Sequence, residues 1–181
     1  MILPPFLLAT SLFAAPSRTQ RVRTPDGLTV AVQEWGNPQG PAVVLVHGLL
    51  QSHLSWEKQR TGAFAKRYRL IAYDLRGHGD SDAPTDPRYY RSGSRWAGEL
   101  RAVIRATHAE RPILVGWSMG GVVLSDYLRS YGSKGLGGLV YLDSWVKAPG
   151  AKERPSSDVI GRMASPDLAT RIDARSAYMP A

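Results

Sequence analysis

An α/β fold with a doubly wound, mostly parallel sheet is the class this sequence predicts, on three observations. Short apolar runs recur at residues 42–46 (AVVLV), 70–73 (LIAY), 113–115 (ILV) and 139–142 (LVYL). Continuous runs of this kind mark strands buried on both faces of a parallel sheet. Between them lie helical periodicities: Trp96, Leu100, Val103, Ile104 and Thr107 fall at i, i+4, i+7, i+8 and i+11, one face of a helix. Strand and helix alternate from residue 21 onward, which requires helices covering a parallel sheet.

Taken in order, residues 20–24 and 28–35 read as two short strands around Pro25-Asp26-Gly27, whose Asp-Gly pair is a strong hairpin signal. Residues 36–41 (GNPQGP) form a turn cluster, and residues 42–46 the first buried strand. A helical stretch near residues 56–66 leads to the strand 70–73, which ends at Asp74. The helix carrying Trp96 to Thr107 is stopped before Pro112, and residues 113–115 form the next strand. Residues 119–129 read as a helix with Val122, Val123, Asp126 and Tyr127 at helical spacing. Residues 132–138 turn the chain back into a last strand, 139–142, ending at Asp143. From residue 148 onward no strand-like run occurs, and Pro149, Pro155 and Pro166 break the segment into loop and polar helix. No internal repeat is visible.

The 181 residues suit one domain, and 43% hydrophobic with 21% charged residues is ordinary for a globular chain. The absence of Cys excludes disulfides, thiolate metal sites and a Cys nucleophile. A net charge of +8 invites a nucleic-acid partner, but the arginines are dispersed and no block of five like charges occurs, so none is expected. Residues 1–15 (MILPPFLLATSLFAA) have the apolar centre and small-residue exit of a secretory signal without its basic start. They are too short for a membrane span, which needs roughly 20 apolar residues. The organisation expected is therefore a signal peptide or N-terminal extension over residues 1–17, a core over 18–147, and a cap or lid region beginning at 148–181. A cytoplasmic location follows unless residues 1–17 direct export.

The strongest chemical signal is Gly116-Trp117-Ser118-Met119-Gly120-Gly121, which follows a buried strand and opens a helix. A nucleophile on so tight a strand-to-helix turn has a strained backbone, and side chains two residues to either side would collide with it. Gly116 and Gly120 leave that space, and the turn sets Ser118 at a helix N-terminus, where the Met119 N–H can donate to an oxyanion. A glycine-rich turn that merely links strand to helix is the alternative for the same residues. The second signal is His47-Gly48-Leu49 at the end of the 42–46 strand, with the Leu49 N–H as the other oxyanion donor. The third is residues 73–81 (YDLRGHGDS), again directly after a strand.

In this order and spacing the three blocks resemble the α/β-hydrolase superfamily, its esterase-like and haloperoxidase-like members above all, over about residues 21–145. The resemblance implies a serine hydrolase in which Ser118 attacks the carbonyl of a small ester-like substrate and water later releases the acid. It implies no metal and no organic cofactor, and no cluster at metal-ligand spacing or phosphate-binding glycine loop is seen. Within the family the 76–81 block is a structural loop, which makes His78 an internal hydrogen-bonding residue. A haloalkane dehalogenase or epoxide hydrolase is disfavoured, since those place Asp where Ser118 stands.

The family's chain order is Ser, then an acid, then His. Here His47, His53, His78 and His108 all precede Ser118. No base is identified; Asp143 at a strand end is a candidate acid with no His after it to orient, and His47, near the same sheet end, is a candidate improvised base. The chain thus reads as a member missing its C-terminal strands, truncated before the catalytic acid and His, and inactive or incomplete as written. A non-catalytic ligand-binding pseudo-hydrolase, or a fragment or broken frame of a longer enzyme, are the alternatives. The strand 139–142 would then be an open sheet edge through which the chain self-associates.

Overall fold

The computed structural model describes residues 18–144 together with Asp167. The signal or extension at residues 1–17 and the cap region at 148–181 lie outside the described residues, save for Asp167. The chain divides into two units, Met1–Val146 and Lys147–Ala181, and the fold described is that of the first.

Six strands form one sheet in the order β1-β2-β4-β3-β5-β6. β1 (Arg18–Arg23) and β2 (Thr29–Gly36) make an antiparallel hairpin, as the Asp26-Gly27 signal predicts. Gly27 takes φ +90° in its turn, a backbone that favours glycine. β2 runs antiparallel to β4 (Arg69–Tyr73), whereas β4, β3 (Ala42–Val46), β5 (Ile113–Trp117) and β6 (Gly138–Leu142) are mutually parallel. The sheet is therefore mixed and mostly parallel. Its central strands β4, β3 and β5 carry the apolar runs 70–73, 42–46 and 113–115 with both faces covered, whereas the run 139–142 forms β6 at the edge and leaves Val140 and Leu142 exposed.

The helical stretch expected near 56–66 follows β3 as a 3-10 turn (His53–Trp56), α1 (Glu57–Thr61) and α2 (Ala63–Arg67), broken at Gly62. Gly62 is extended, and a β-carbon there would lie 2.7 Å from the Lys58 carbonyl oxygen. α3 (Gly93–Ala106) and α4 (Met119–Tyr131) fall where the periodicity places them. Strand alternation divides the core. Val44, Val46, Ile71, Tyr73 and Leu114 meet Leu100, Val103, Val123 and Leu124 on one face. Val43, Leu45, Leu70, Ala72 and Val115 meet Trp35 and Trp56 on the other. No helix among the described residues is long and apolar enough to cross a membrane.

One buried polar cluster sets the loop after β4. Arg76, fully buried, donates through Nε to Glu99 Oε2 at 2.8 Å and through Nη1 to Asp26 Oδ2 at 2.7 Å and the Tyr89 carbonyl at 2.9 Å. Its backbone N–H donates to Glu99 Oε1 at 3.2 Å. Glu99 is itself fully buried on α3, and that burial pushes its carboxyl up to about 7 against the pull of Arg76. Burial also opposes ionisation of Asp26, but hydrogen bonds from Arg76, Thr24 and Arg95 outweigh it and hold this carboxyl well below the usual range. One guanidinium thus ties the β1–β2 turn, the loop after β4 and α3 together. Glu99→Ala leaves a buried cation short of its partner, and urea unfolding is expected to show a loss of about 3–5 kcal/mol. A loss under about 1 kcal/mol would mean that water replaces the carboxylate.

Candidate active site

The ends of β3, β4 and β5 lie side by side, since Val46 pairs with both Tyr73 and Gly116. Beyond β5, Ser118 takes φ +51° and ψ −116°, a backbone that L residues rarely adopt and that stores about 1–3 kcal/mol. Neighbours on three sides hold it. Its N–H donates to the Leu142 carbonyl at 3.0 Å, and its own carbonyl accepts from the Gly121 N–H at 3.0 Å and from Ser144 Oγ at 2.6 Å. Ser118 Oγ has no hydrogen-bond partner among the described residues.

The glycines around it are closed to side chains. A β-carbon on Gly116 would lie 2.6 Å from the Gly120 carbonyl carbon and the Gly121 nitrogen. One on Gly120 would collide with the Val46 carbonyl and approach the His47 oxygen to 3.0 Å. One on Gly48 would lie 3.3 Å from Ser118 Cβ. These contacts bring Gly116, Ser118, Met119, Gly120 and the Gly48-Leu49 segment into a single site. The N–H groups of Leu49 and Met119 have no acceptor among the described residues.

Leu49 and Leu50 form a turn closed by Gln51 N–H donating to the Gly48 carbonyl at 3.3 Å. Leu50 has φ +59°, and its N–H donates to His78 Nε2 at 3.1 Å. His78 Nδ1 lies 3.0 Å from the Arg76 carbonyl, which only accepts, so Nδ1 carries the proton and Nε2 the lone pair. His78 is thus a neutral strap between the loop after β4 and the turn beside Ser118. His47 is fully buried: Nδ1 donates to the Gly48 carbonyl at 2.8 Å, and Nε2 accepts from the Leu75 N–H at 3.0 Å. Burial lowers its pKa to about 4. With both ring nitrogens engaged, it has no free lone pair with which to act as a base.

A second His pairs with the loop after β4. Asp74, fully buried, accepts from the His53 N–H at 2.7 Å, from His53 Nδ1 at 2.9 Å and from the Asp80 N–H at 3.0 Å. Burial opposes its ionisation, yet the His53 and Asp80 hydrogen bonds prevail and its pKa is lowered. His53, Asp74 and Asp80 offer donor atoms within 4.8 Å of one another. The sequence showed no cluster at metal-ligand spacing because these residues are far apart along the chain, and the Asp74 oxygens in the cluster already accept the His53 and Asp80 N–H groups. His108 follows α3 ahead of the start of β5, at the sheet end away from Ser118. Asp143 sits exposed past β6 with φ +45° and no hydrogen bond among the described residues. No imidazole is bonded to Ser118 Oγ among the described residues. The His53–Asp74 pair and the His78 strap escape sequence reading because their partners lie 21 and 28 residues away, with no periodicity to link them.

Comparison with known proteins agrees with the fold. The family model described as alpha/beta hydrolase fold matches residues 41–163. A solved structure of a Burkholderia cenocepacia protein assigned as an aryl esterase is 44% identical with a TM-score of 0.76, covering 89% of this chain and 59% of that one. The esterase RhEst1 from Rhodococcus sp. ECU1013 is 34% identical with a TM-score of 0.72, over 88% and 60% of the two chains. The AB hydrolase superfamily protein YisY of Bacillus subtilis is 30% identical over 134 residues, 74% of this chain and 47% of YisY. Epoxide hydrolases and non-heme chloroperoxidases are related as well. The chain spans about 60% of the two esterase structures and less than half of YisY.

Two outcomes follow from the geometry. Gly120→Ala drives a methyl group into the Val46 carbonyl and is expected to lower stability by about 3 kcal/mol or more in chemical unfolding. A near-neutral result would mean that α4 can slide off the strand end. His47 has a folded pKa below its unfolded value of 6.5, so its contribution is complete above pH 6.5 and is lost as pH falls toward about 4. That loss is on the order of 3 kcal/mol, and imidazole NMR is expected to find His47 still neutral at about pH 5, which a midpoint near 6.5 would contradict.

Proposed function

This chain belongs to the α/β-hydrolase fold family, and we propose that it carries the nucleophile half of a serine hydrolase acting on small ester-like substrates. The observation that carries the reading is Ser118 itself, held at φ +51° beside Gly48 with its hydroxyl unpartnered among the described residues. In the proposed reaction Ser118 Oγ attacks the ester carbonyl carbon and the Oγ proton passes to a base. The carbonyl oxygen becomes an oxyanion that accepts from the free N–H groups of Leu49 and Met119. Collapse breaks the bond to the alkoxide, which leaves with the proton, and water then hydrolyses the acyl-serine.

Serine rather than a carboxylate at position 118 favours esters over epoxides or haloalkanes, because a carboxylate nucleophile forms the alkyl ester that those substrates need. Neither His47 nor His78 can serve as the base, since all four of their ring nitrogens are engaged. Nucleophile and oxyanion donors without a base leave roughly 10³-fold to 10⁴-fold acceleration over water. That no imidazole among the described residues is bonded to Ser118 Oγ favours a second reading, a ligand-binding member of the family that does not turn over.

A fluorophosphonate probe with tryptic mass spectrometry separates the two. The expected result is slow modification of Ser118, accelerated by added imidazole as external base and abolished in Ser118→Ala. No modification with or without imidazole, alongside saturable binding of an ester analogue, would establish the second reading instead.

A further inference from the structure

Dispersed along the sequence, three arginines converge in space far from Ser118. A groove of about 670 Å³ lies between β1 and α3, bordered by Arg23 on the edge strand and by Arg101 and Arg105 on the helix. Tyr131, the last residue of α4, also lines it, whereas Ser118 precedes the first residue of that helix. At 1.5 Å per residue the two ends of α4 stand about 18 Å apart.

No carboxylate lines the groove, and Arg23, Arg101 and Arg105 form no ion pair among the described residues. Arg21, which also borders it, is already engaged by Asp82 and the Asp80 carbonyl. Arg101 and Arg105 are like charges at i and i+4, an arrangement that weakens a bare helix. Arg101 is further oriented, with its guanidinium carbon 4.2 Å from the Tyr131 ring centroid. Gly98 opens the floor: a β-carbon there would meet Pro25 Cγ at 3.5 Å and Tyr131 Oη at 3.8 Å, narrowing the space between them.

We propose that this groove binds a small, multiply charged anion of the polyphosphate or phosphate-ester type. Guanidinium groups match phosphate oxygens two at a time, and those that border this groove have no acid in its lining to displace. The volume falls within the range of about 300–1,000 Å³ common to small-molecule sites. The site is independent of the chemistry at Ser118.

Isothermal titration of the 181-residue chain with inorganic tripolyphosphate tests this, with a nucleoside triphosphate in parallel. The expected result is saturable one-to-one binding that disappears as NaCl rises from about 0.1 to about 1 M, where the Debye length shrinks from about 10 to about 3 Å. The double substitution Arg101→Ala/Arg105→Ala is expected to weaken it at least tenfold. Arg23→Ala on the exposed edge strand, which leaves α3 intact, should weaken it several-fold, and Ala102→Glu should do so with every arginine retained. Arg88→Ala, outside the groove, should change nothing. Equal affinity for the two ligands identifies the phosphate chain as the recognised group, and tighter nucleotide binding adds a contact from the nucleoside. Absence of saturable binding, several equivalent sites, affinity unchanged in folded groove variants, or binding of a long single-stranded oligonucleotide but not tripolyphosphate would each overturn the proposal.

Discussion

Gly120 rests against the carbonyl groups of Val46 and His47 with no room for a β-carbon, and the geometry of the site depends on that contact. It sets the first turn of α4 directly on the end of β3. Ser118 must then turn the chain from β5 into α4 within one residue, which accounts for its positive φ. Because the approach is so close, Gly48 also lies beside Ser118, and the free N–H groups of Leu49 and Met119 belong to one small region. The partial positive charge at the helix N-terminus adds to the field there. Strain at Ser118 persists because three hydrogen bonds, from β6, Gly121 and Ser144, fix the backbone around it.

The loop after β4 is the second support, and it works by satisfying buried polar groups. Asp74 gathers His53 and Asp80, and Ser81 Oγ donates to the Asp74 carbonyl while accepting from the Ala31 N–H. Arg76 binds Glu99 and Asp26, and His78 reaches Leu50 in the turn beside Ser118. Four side chains of one loop therefore connect the hairpin, the helix α3 and the turn that carries Leu49. An unpaired group in such a cluster would forfeit its solvation without recompense, so the loop conformation is set jointly by all of its partners. The neutral tautomer of His78 follows from the same requirement, since one ring nitrogen faces a carbonyl and the other an N–H.

Charge shows how differently a chain reads along its length and in space. Arg23, Arg101 and Arg105 look unremarkable in sequence because apolar residues and acids separate them. Folding pairs most other arginines near the core with carboxylates, as Arg69 with Glu34 and Arg129 with Asp126. The three around the β1–α3 groove are brought together from two elements and left with each other. Scanning for runs of like charge could not detect them, because their proximity is a product of how α3 packs on the hairpin.

What the sequence determined by itself is whatever depends on neighbours along the chain. Apolar runs declared the buried strands, Asp26-Gly27 the hairpin, and the spacing of Trp96, Leu100 and Val103 the face of α3. The residues around Ser118 declared the tight strand-to-helix turn, and Gly116 is explained by its contacts with Gly120 and Gly121, whereas Gly120 is closed by Val46 and His47 from another strand. Gly62 is a detail that the residues near 56–66 do not announce: the stretch is helical, yet one extended glycine divides it into two short helices. Only the tertiary structure decided which long-range partners the polar residues find. Glu99 on α3 finds Arg76, and His47 reads as an improvised base until Leu75 and Gly48 occupy both its nitrogens. Hydrogen bonds between residues tens of positions apart leave no periodic trace, because they are set by which strand ends meet and not by the rise of any single element.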